Sequence, residues 1–189
     1  GEIELVSDKS EYQGDYAGVD MAVDSNDNIH VAWEGFNPDY QYNLFYRKKS
    51  SGSWEAIQTV NDYALTGTEC YSLSIAVDLN DNPLIAWEGY NYDSDLTEIN
   101  YSAKVSGSWQ TTNLVEANNV VQPSITLDRK DGIIYIIYQD REAGELRLVK
   151  NDGSWGAPQT LYVFSDHISY GNYGTSALWA KYPNNTNIP

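Results

Sequence analysis

Apolar and polar residues alternate along short stretches of this chain, with the period of two that is typical of half-buried β-strands. Val31 and Trp33 flank Ala32, and the same arrangement returns at 85–87. Gly, Asn, Asp or Pro bound these stretches, and no long stretch rich in Ala, Leu, Glu and Lys has a 3.6-residue apolar period. The pattern therefore predicts an all-β protein.

One motif recurs along the chain. The sequence Ala-Val-Asp-Ser-Asn-Asp-Asn-Ile-His-Val-Ala-Trp-Glu-Gly at 22–35 returns as Ala-Val-Asp-Leu-Asn-Asp-Asn-Pro-Leu-Ile-Ala-Trp-Glu-Gly at 76–89. A more divergent copy occupies 126–140. The Asn- and Asp-rich connections at 24–28, 78–82 and 128–132 favour tight hairpins, because these residue types tolerate left-handed backbone and bond their own main chain.

Each copy continues in the same way, with a further alternating strand, a Gly-Ser-Trp turn at 52–54, 107–109 and 153–155, and a last strand. In the first copy these strands are a (Asp20 to Asp24), b (Ile29 to Trp33), c (Asn43 to Arg47) and d (Glu55 to Val60). Four antiparallel strands in a repeat of about fifty residues are typical of a β-propeller blade. We predict three blades, over residues 17–62, 71–117 and 121–163.

Two flanking segments are predicted to be strands of other blades. Residues 3–6 resemble a strand d without its own a, b and c, and a fourth strand a is expected in 174–189. Propellers close with about four or more blades, so residues 1–189 are predicted to be a partial propeller with an incomplete ring. Because unpaired edges promote association, we expect other blades or another chain to complete it.

The repeat resembles those of sialidase-like β-propellers, in particular repeats of bacterial and archaeal surface proteins, over about residues 17–180. The shared pattern is an aspartate, a turn, an asparagine, a strand ending in a large aromatic residue, and the Gly-Ser-Trp turn, which is similar to a degenerate Asp-box (BNR-type). The Asp-box has two residues between Gly and Trp where this chain has one, and only Asp152 supplies its aspartate. The resemblance implies the fold and an extracellular or cell-surface location.

A sialidase site would require three converging arginines, a tyrosine nucleophile paired with a glutamate, and an acid/base aspartate. The chain has four arginines, and the positions of Arg47, Arg129 and Arg147 in the repeat indicate no triad. A glycosidase pair of carboxylates cannot be recognised from sequence alone. We therefore favour a protein without enzymatic activity, and a fragment of a sialidase-like glycoside hydrolase is the alternative.

Charge narrows the choice of partners. The chain has 27 acidic and 11 basic residues and a net charge of −16, so a polyanion such as nucleic acid would be repelled. No apolar stretch approaches the roughly 20 residues that span a bilayer, so no membrane insertion is expected. Cys70 is the only cysteine, and an intrachain disulfide is therefore excluded.

No cofactor is predicted. His30 and His167 lack metal-ligand spacing. The Asp-x-Asn-x-Asn runs at 24–28 and 78–82 resemble the start of a calcium loop, but they lack its glycine and its closing glutamate. Turn geometry explains these runs without a metal, and calcium is the alternative that the pattern leaves open.

The loops that join strands b to c and d to a emerge at one end of the blades and are rich in Tyr, Asp, Glu and Asn. Flat aromatic faces beside hydrogen-bond acceptors suit sugars or a protein partner. We therefore predict a binding protein for glycan or protein, and a structural spacer of a surface protein is a second alternative. The candidate binding residues are Tyr16, Glu34, Tyr40, Tyr42, Tyr71, Glu88, Tyr90, Tyr92, Asp140 and Arg141.

Overall fold

The computed structural model describes residues 3–7, 18–36 and 39–164 of the chain. These residues form three antiparallel sheets in sequence order, and each sheet holds one copy of the repeat. We call the sheets blade 1, blade 2 and blade 3. The helical content of this part of the chain is a single turn, so the predicted all-β class is confirmed.

The strands of blades 2 and 3 pair in sequence order, and so do the first four strands of blade 1. Blade 1 consists of β1 (Val19–Val23), β2 (Ile29–Phe36), β3 (Tyr42–Ser50), β4 (Ser53–Trp54) and β5 (Gln58–Asn61), and the helical turn α1 (Tyr63–Thr66) follows it. Blade 2 consists of β6 (Thr68–Val77), β7 (Pro83–Asn91), β8 (Leu96–Val105) and β9 (Ser108–Ala117). Blade 3 consists of β10 (Val120–Leu127), β11 (Ile134–Asp140), β12 (Glu145–Asn151) and β13 (Gln159–Val163).

The last strand of blade 1 differs from the expected one. A single strand is predicted from Glu55 to Val60, whereas β4 and β5 pair separately with β3. At the interruption, the Nε of Arg47 donates to the Glu55 carbonyl at 2.6 Å, and blade 3 has a similar break between its Asn151–Trp155 bridge and its last strand. In blade 2 the corresponding strand, β9, is continuous.

The repeated aspartates cap the hairpins that open the blades. Asp24 Oδ1 accepts hydrogen bonds from the backbone amides of Asn26 and Asn28, both at 2.9 Å, and the hairpin of blade 2 is built in the same way. The third residue after each aspartate is left-handed, with φ of 61° at Asp27 and 63° at Asp81. Asp and Asn tolerate this conformation, which explains why the repeat retains an Asp-x-Asn-Asp-Asn run.

The hydrophobic cores lie between neighbouring blades. Blades 1 and 2 bury Ala32, Leu44, Tyr46 and Val60 against Cys70, Ile75, Ile85 and Trp87. Blades 2 and 3 bury Leu84, Ala86 and Ile99 against Val120, Ile125, Ile136, Tyr138 and Val149. The first strands lie side by side, since β6 contacts both β1 and β10. The blades therefore stack around their first strands, and the three of them do not close a ring.

The tryptophans of the Gly-Ser-Trp turns join each blade to the one before it. Trp109 of blade 2 packs edge-on against Tyr46 of blade 1, with 5.1 Å between ring centroids. Trp155 of blade 3 packs edge-on against Tyr101 of blade 2 at 4.8 Å. Trp54 occupies the corresponding place in blade 1, and its indole Nε1 donates to Glu4 at 2.9 Å.

Residues 3–7 differ from the predicted leading strand, because they contain no β-strand. Side chains hold this segment to blade 1 of the same chain. Arg47 Nη1 donates to the Val6 carbonyl at 2.8 Å, and Lys49 Nζ lies 2.6 Å from a Glu4 carboxylate oxygen. The apolar side chain of Val6 packs on the outer face of blade 1. The predicted fourth strand a, in 174–189, lies outside the described residues.

Candidate functional site

Seven aromatic side chains lie at the end of blades 1 and 2 where strands b lead into strands c. We call them the tyrosine cluster: Phe36, Tyr40, Tyr42, Tyr63, Tyr71, Tyr90 and Tyr92. The rings follow one another closely, with centroid distances of 4.2 Å from Phe36 to Tyr42 and 5.5 Å from Tyr42 to Tyr71. Tyr92 lies edge-on to Tyr90 at 4.8 Å. Five of the ten candidate residues are thus brought together.

The carboxylate of Glu69 links the two halves of the tyrosine cluster. The hydroxyls of Tyr71 and Tyr92 both donate to Glu69 Oε2, at 2.6 and 2.9 Å, and the backbone amide of Tyr42 lies 3.3 Å from Oε1. Glu69 itself is buried, with 7% of its surface exposed. Burial and the hydrogen bond to Glu69 raise the pKa of Tyr71, so its phenol stays protonated and holds this arrangement at neutral pH.

The aromatic rings of this cluster remain accessible although their hydroxyl groups are fixed. Tyr40 is 79% exposed, Tyr92 52% and Tyr71 39%. Large exposed apolar side chains on neighbouring elements form a surface that suits a ligand with an apolar face. The hydroxyl of Tyr90 donates to Asp95, which adds a second carboxylate at the edge of the cluster.

Glu34 and Glu88 bind backbone amides in or beside the first strands of blades 1 and 3 rather than side chains of the tyrosine cluster, and we call them the inner carboxyls. They occupy equivalent positions in β2 and β7, and Gln139 has the same place in β11. Glu34 Oε1 accepts from the Gly18 amide at 2.5 Å, and Glu88 Oε2 accepts from the Gln122 amide of blade 3 at 2.9 Å.

Burial perturbs both inner carboxyls. It raises the pKa of Glu34 to about 7, and the negative charge of Glu88 adds to this increase. Burial also raises the pKa of Glu88. Within the described residues, Glu34 Oε2 is buried and has no hydrogen-bond partner. A carboxyl group that titrates near neutrality can exchange a proton with a ligand, so this pair is a candidate acid/base site.

The other candidates have different surroundings. Asp140 closes the turn between β11 and β12, because its Oδ1 accepts from the Ala143 amide at 2.9 Å and its Oδ2 lies 3.3 Å from Arg147 Nη2. Arg141 donates through its backbone amide to the Asn119 carbonyl at 3.0 Å. Its charge acts on Glu88, whose pKa it lowers against the larger effect of burial. Tyr16 lies outside the described residues.

Sequence reasoning did not include Glu69, Phe36 and Tyr63 among the candidates. All three lie in or beside the loops of the same end, so their position was available as a signal. The sequence gives no signal for the inward orientation of the Glu69 carboxylate, because Glu69 lies beside the bulge between Cys70 and Ser72 in β6.

The described residues contain no group of three or more His, Cys, Asp or Glu side chains that could hold a metal ion. At the hairpin that resembles a calcium loop, the Asp24 carboxylate accepts hydrogen bonds from its own turn, from His30 and from Lys48. No helix in this part of the chain is long and apolar enough to cross a membrane.

Solved structures with the same arrangement of strands identify the architecture. The fold is that of a β-propeller. An α-L-arabinanase of Penicillium chrysogenum complexed with arabinobiose is 15% identical over 84% of this chain, which covers 54% of that chain, with a TM-score of 0.58. The GH93 α-L-arabinofuranosidase of Fusarium graminearum with arabinobiose is 16% identical over 84% of this chain and 52% of its own, also with a TM-score of 0.58.

A third propeller is similar over a longer part of this chain. It is a fructofuranosidase of Schwanniomyces occidentalis complexed with fructosylnystose, 14% identical over 87% of this chain and 39% of its own, with a TM-score of 0.54. This chain thus spans about half the length, or less, of these propellers. No family model and no curated protein matches the sequence.

Proposed function

We propose that this chain belongs to an extracellular β-propeller without enzymatic activity and that the tyrosine cluster binds carbohydrate. The observation that carries the proposal is a set of exposed tyrosine rings around the buried acceptor Glu69. A pyranose or furanose ring presents an apolar face to an aromatic ring and hydroxyl donors to a carboxylate at its edge. Exposed rings occur at this end of blades 1 and 2 beside the exposed Asp95 carboxylate, while the buried Glu69 holds the rings in place.

The chemistry of similar propellers supports a sugar ligand. Two of the similar structures contain arabinobiose and one contains fructosylnystose. These are neutral oligosaccharides, and a neutral ligand is compatible with the net charge of −16, which would repel a sialylated or sulfated one. Among carbohydrates we therefore propose neutral oligosaccharides, although the repeat itself resembles that of sialidase-like proteins.

A glycan array that includes arabinan and fructan oligosaccharides tests this proposal. The unaltered chain is expected to bind a set of neutral glycans, and the double variant Tyr40→Ala/Tyr92→Ala to lose them. Tyr162→Ala is the matched control, because Tyr162 is 57% exposed on β13 of blade 3 and does not belong to the cluster. Capture of a protein in place of any glycan, or unchanged glycan binding by the double variant, would overturn the proposal.

A second candidate function is glycoside hydrolysis by the inner carboxyls. The specific observation is the pKa of about 7 at Glu34 beside Glu88, whose pKa is also raised, because a proton donor and a carboxylate are the two groups that glycosidases use. Incubation with arabinan, fructan and aryl glycosides decides between the two functions. Release of product by the unaltered chain, abolished in Glu34→Gln and in Glu88→Gln, would favour the hydrolase.

We also propose that other blades or another chain complete the ring. The face of β1 that points away from blade 2 supports this, since Val19 is 67% exposed and Met21 55%. At the corresponding place in blade 2, Ile75 is only 6% exposed because blade 1 covers it. The next blades of a longer protein or a second chain would bury Val19 and Met21 in the same way.

A further inference from the structure

A cleft of about 500 Å³ opens between blades 2 and 3, at the end of the blades opposite the tyrosine cluster. The hairpin of blade 2 and strands β7 and β8 form one wall, with Asp78, Leu84, Tyr101 and Ala103. Leu127 and Ile134 of blade 3 are among the residues that form the other wall. The cleft is therefore independent of the proposed carbohydrate site.

The same place in blade 1 is filled by the protein's own side chains. His30 and Lys48 face each other across β2 and β3, and both bind Asp24 Oδ2 at 3.1 Å. The other ring nitrogen of His30, Nδ1, lies 2.7 Å from the Tyr46 hydroxyl. The imidazole thus connects a carboxylate to a phenol, the ammonium group binds the same carboxylate, and the Asp24 side chain is fully buried.

Blade 2 keeps the carboxylate and the phenol of this network but neither the imidazole nor the ammonium group. Asp78 and Tyr101 correspond to Asp24 and Tyr46, while Leu84 replaces His30 and Ala103 replaces Lys48. The hairpin geometry is retained, since Asn82 Nδ2 donates to Asp78 Oδ2 at 3.0 Å as Asn28 Nδ2 does to Asp24 Oδ2 at 2.8 Å.

Asp78 and Tyr101 keep hydrogen-bonding capacity for a ligand. In the described part of the chain, Asp78 Oδ2 accepts only from Asn82, and the Tyr101 hydroxyl has no hydrogen bond. The two groups are close enough that the Asp78 charge adds to the effect of burial in raising the pKa of Tyr101 to about 12. Lys104, at the rim, does not replace Lys48, because its Nζ donates to Gln58 Oε1 of blade 1 at 2.9 Å.

We infer that the cleft between blades 2 and 3 binds a small organic cation with N–H donors, such as an imidazole or a primary amine. The ligand would take the place that His30 and Lys48 occupy in blade 1. Its cationic nitrogen would donate to Asp78 Oδ2, and its body would lie between Leu84 and the apolar side chains of blade 3. The Tyr101 hydroxyl would donate to an acceptor such as an imidazole nitrogen.

Histamine is a suitable probe, because it carries both an imidazole and an ammonium group. In ¹H–¹⁵N spectra at pH 7, we expect saturable shifts at the amides of Asp78, Ala103 and Gly132, with a dissociation constant on the order of 1 mM, since few contacts are made. Asp78→Asn should weaken binding at least tenfold, because a charge-assisted hydrogen bond is lost.

Asp81→Asn is the matched control for charge. It removes an acidic group from the same hairpin, but Asp81 binds Ser25 and Asn26 of blade 1 rather than the cleft, so affinity should remain within twofold. The variant Leu84→His/Ala103→Lys places the two blade 1 side chains in the cleft and should also lose histamine binding. If this double variant does not fold, the comparison of Asp78→Asn with the unaltered chain tests the inference alone. Absent or unsaturable shifts, shifts spread over the acidic surface, or equal affinity in Asp78→Asn would overturn the inference.

Discussion

Glu34 is a residue whose chemistry sequence alone cannot reveal. A glutamate before a loop is usually solvated, whereas this one is 5% exposed and its pKa is raised to about 7 from an ordinary 4.5. A raised pKa in the folded state means that the protonated form is favoured by folding. The associated stability is fully present below pH 4.5 and is lost as the pH rises through 7.

Glu34→Gln should therefore be stabilised relative to the unaltered chain as the pH rises. One pKa unit corresponds to about 1.4 kcal/mol, so the difference in unfolding free energy should change by up to about 3 kcal/mol between pH 4.5 and 8. Urea unfolding of both proteins at several pH values measures it. The lowered pKa of His30 makes stability fall with falling pH, but it does so equally in both proteins and cancels in the difference. Parallel pH profiles would contradict the assigned environment of Glu34.

At the scale of elements, most of the fold could be predicted from the sequence. The Asp-x-Asn-Asp-Asn run specifies its own turn through contacts between near neighbours, as Asp24 and Asn28 show, so hairpins and strands follow from local pattern. Residues 3–7, by contrast, are held to blade 1 by Lys49 and Arg47. Such long-range side-chain contacts leave no periodic signal.

The candidate site was predictable to a smaller extent. Topology places Tyr42, Tyr71 and Tyr92 at one end, and the structure groups them. The partners of Glu34 and Asp140 could not be predicted, because the sequence does not show which backbone amide donates a hydrogen bond to each carboxylate.

The tryptophans of the Gly-Ser-Trp turns should contribute to stability according to the blade that each one contacts. Trp109 packs on Tyr46 and the core between blades 1 and 2, and Trp155 packs on Tyr101. Replacement of either by Ala should lower the unfolding free energy by about 2 to 3 kcal/mol, less than for a fully buried ring. Chemical denaturation measures this effect.

Trp54→Ala is the control, because the Trp54 indole donates to Glu4 and contacts neither blade 2 nor blade 3 in the interactions described above. It should lower the unfolding free energy by less. Equal losses at all three positions would show that contacts between blades do not determine the contribution.

At the scale of the whole molecule, the three blades leave apolar surface uncovered. Val19, Met21 and Val23 are 67%, 55% and 46% exposed on β1, and Tyr162 and Val163 are 57% and 58% exposed on β13. Exposed strands of this kind promote association.

We expect residues 1–189 by themselves to associate, with a mass from light scattering above the 21.2 kDa of one chain. Met21→Lys should reduce that mass, because it places a charge where an apolar contact would form, whereas Leu79→Lys is a control at an exposed hairpin position. A monodisperse 21.2 kDa species would contradict completion of the ring by a second chain.

The central claim, that the tyrosine cluster binds carbohydrate, is tested most directly by calorimetric titration with the strongest ligand found on the glycan array. Loss of one stacking ring removes about 0.5 to 1.5 kcal/mol of binding energy in addition to the effect of buried area, and 1.4 kcal/mol corresponds to tenfold. Tyr92→Ala should therefore raise the dissociation constant about tenfold, whereas Tyr162→Ala should change it by less than twofold. Equal affinity of Tyr92→Ala and the unaltered chain would contradict the account.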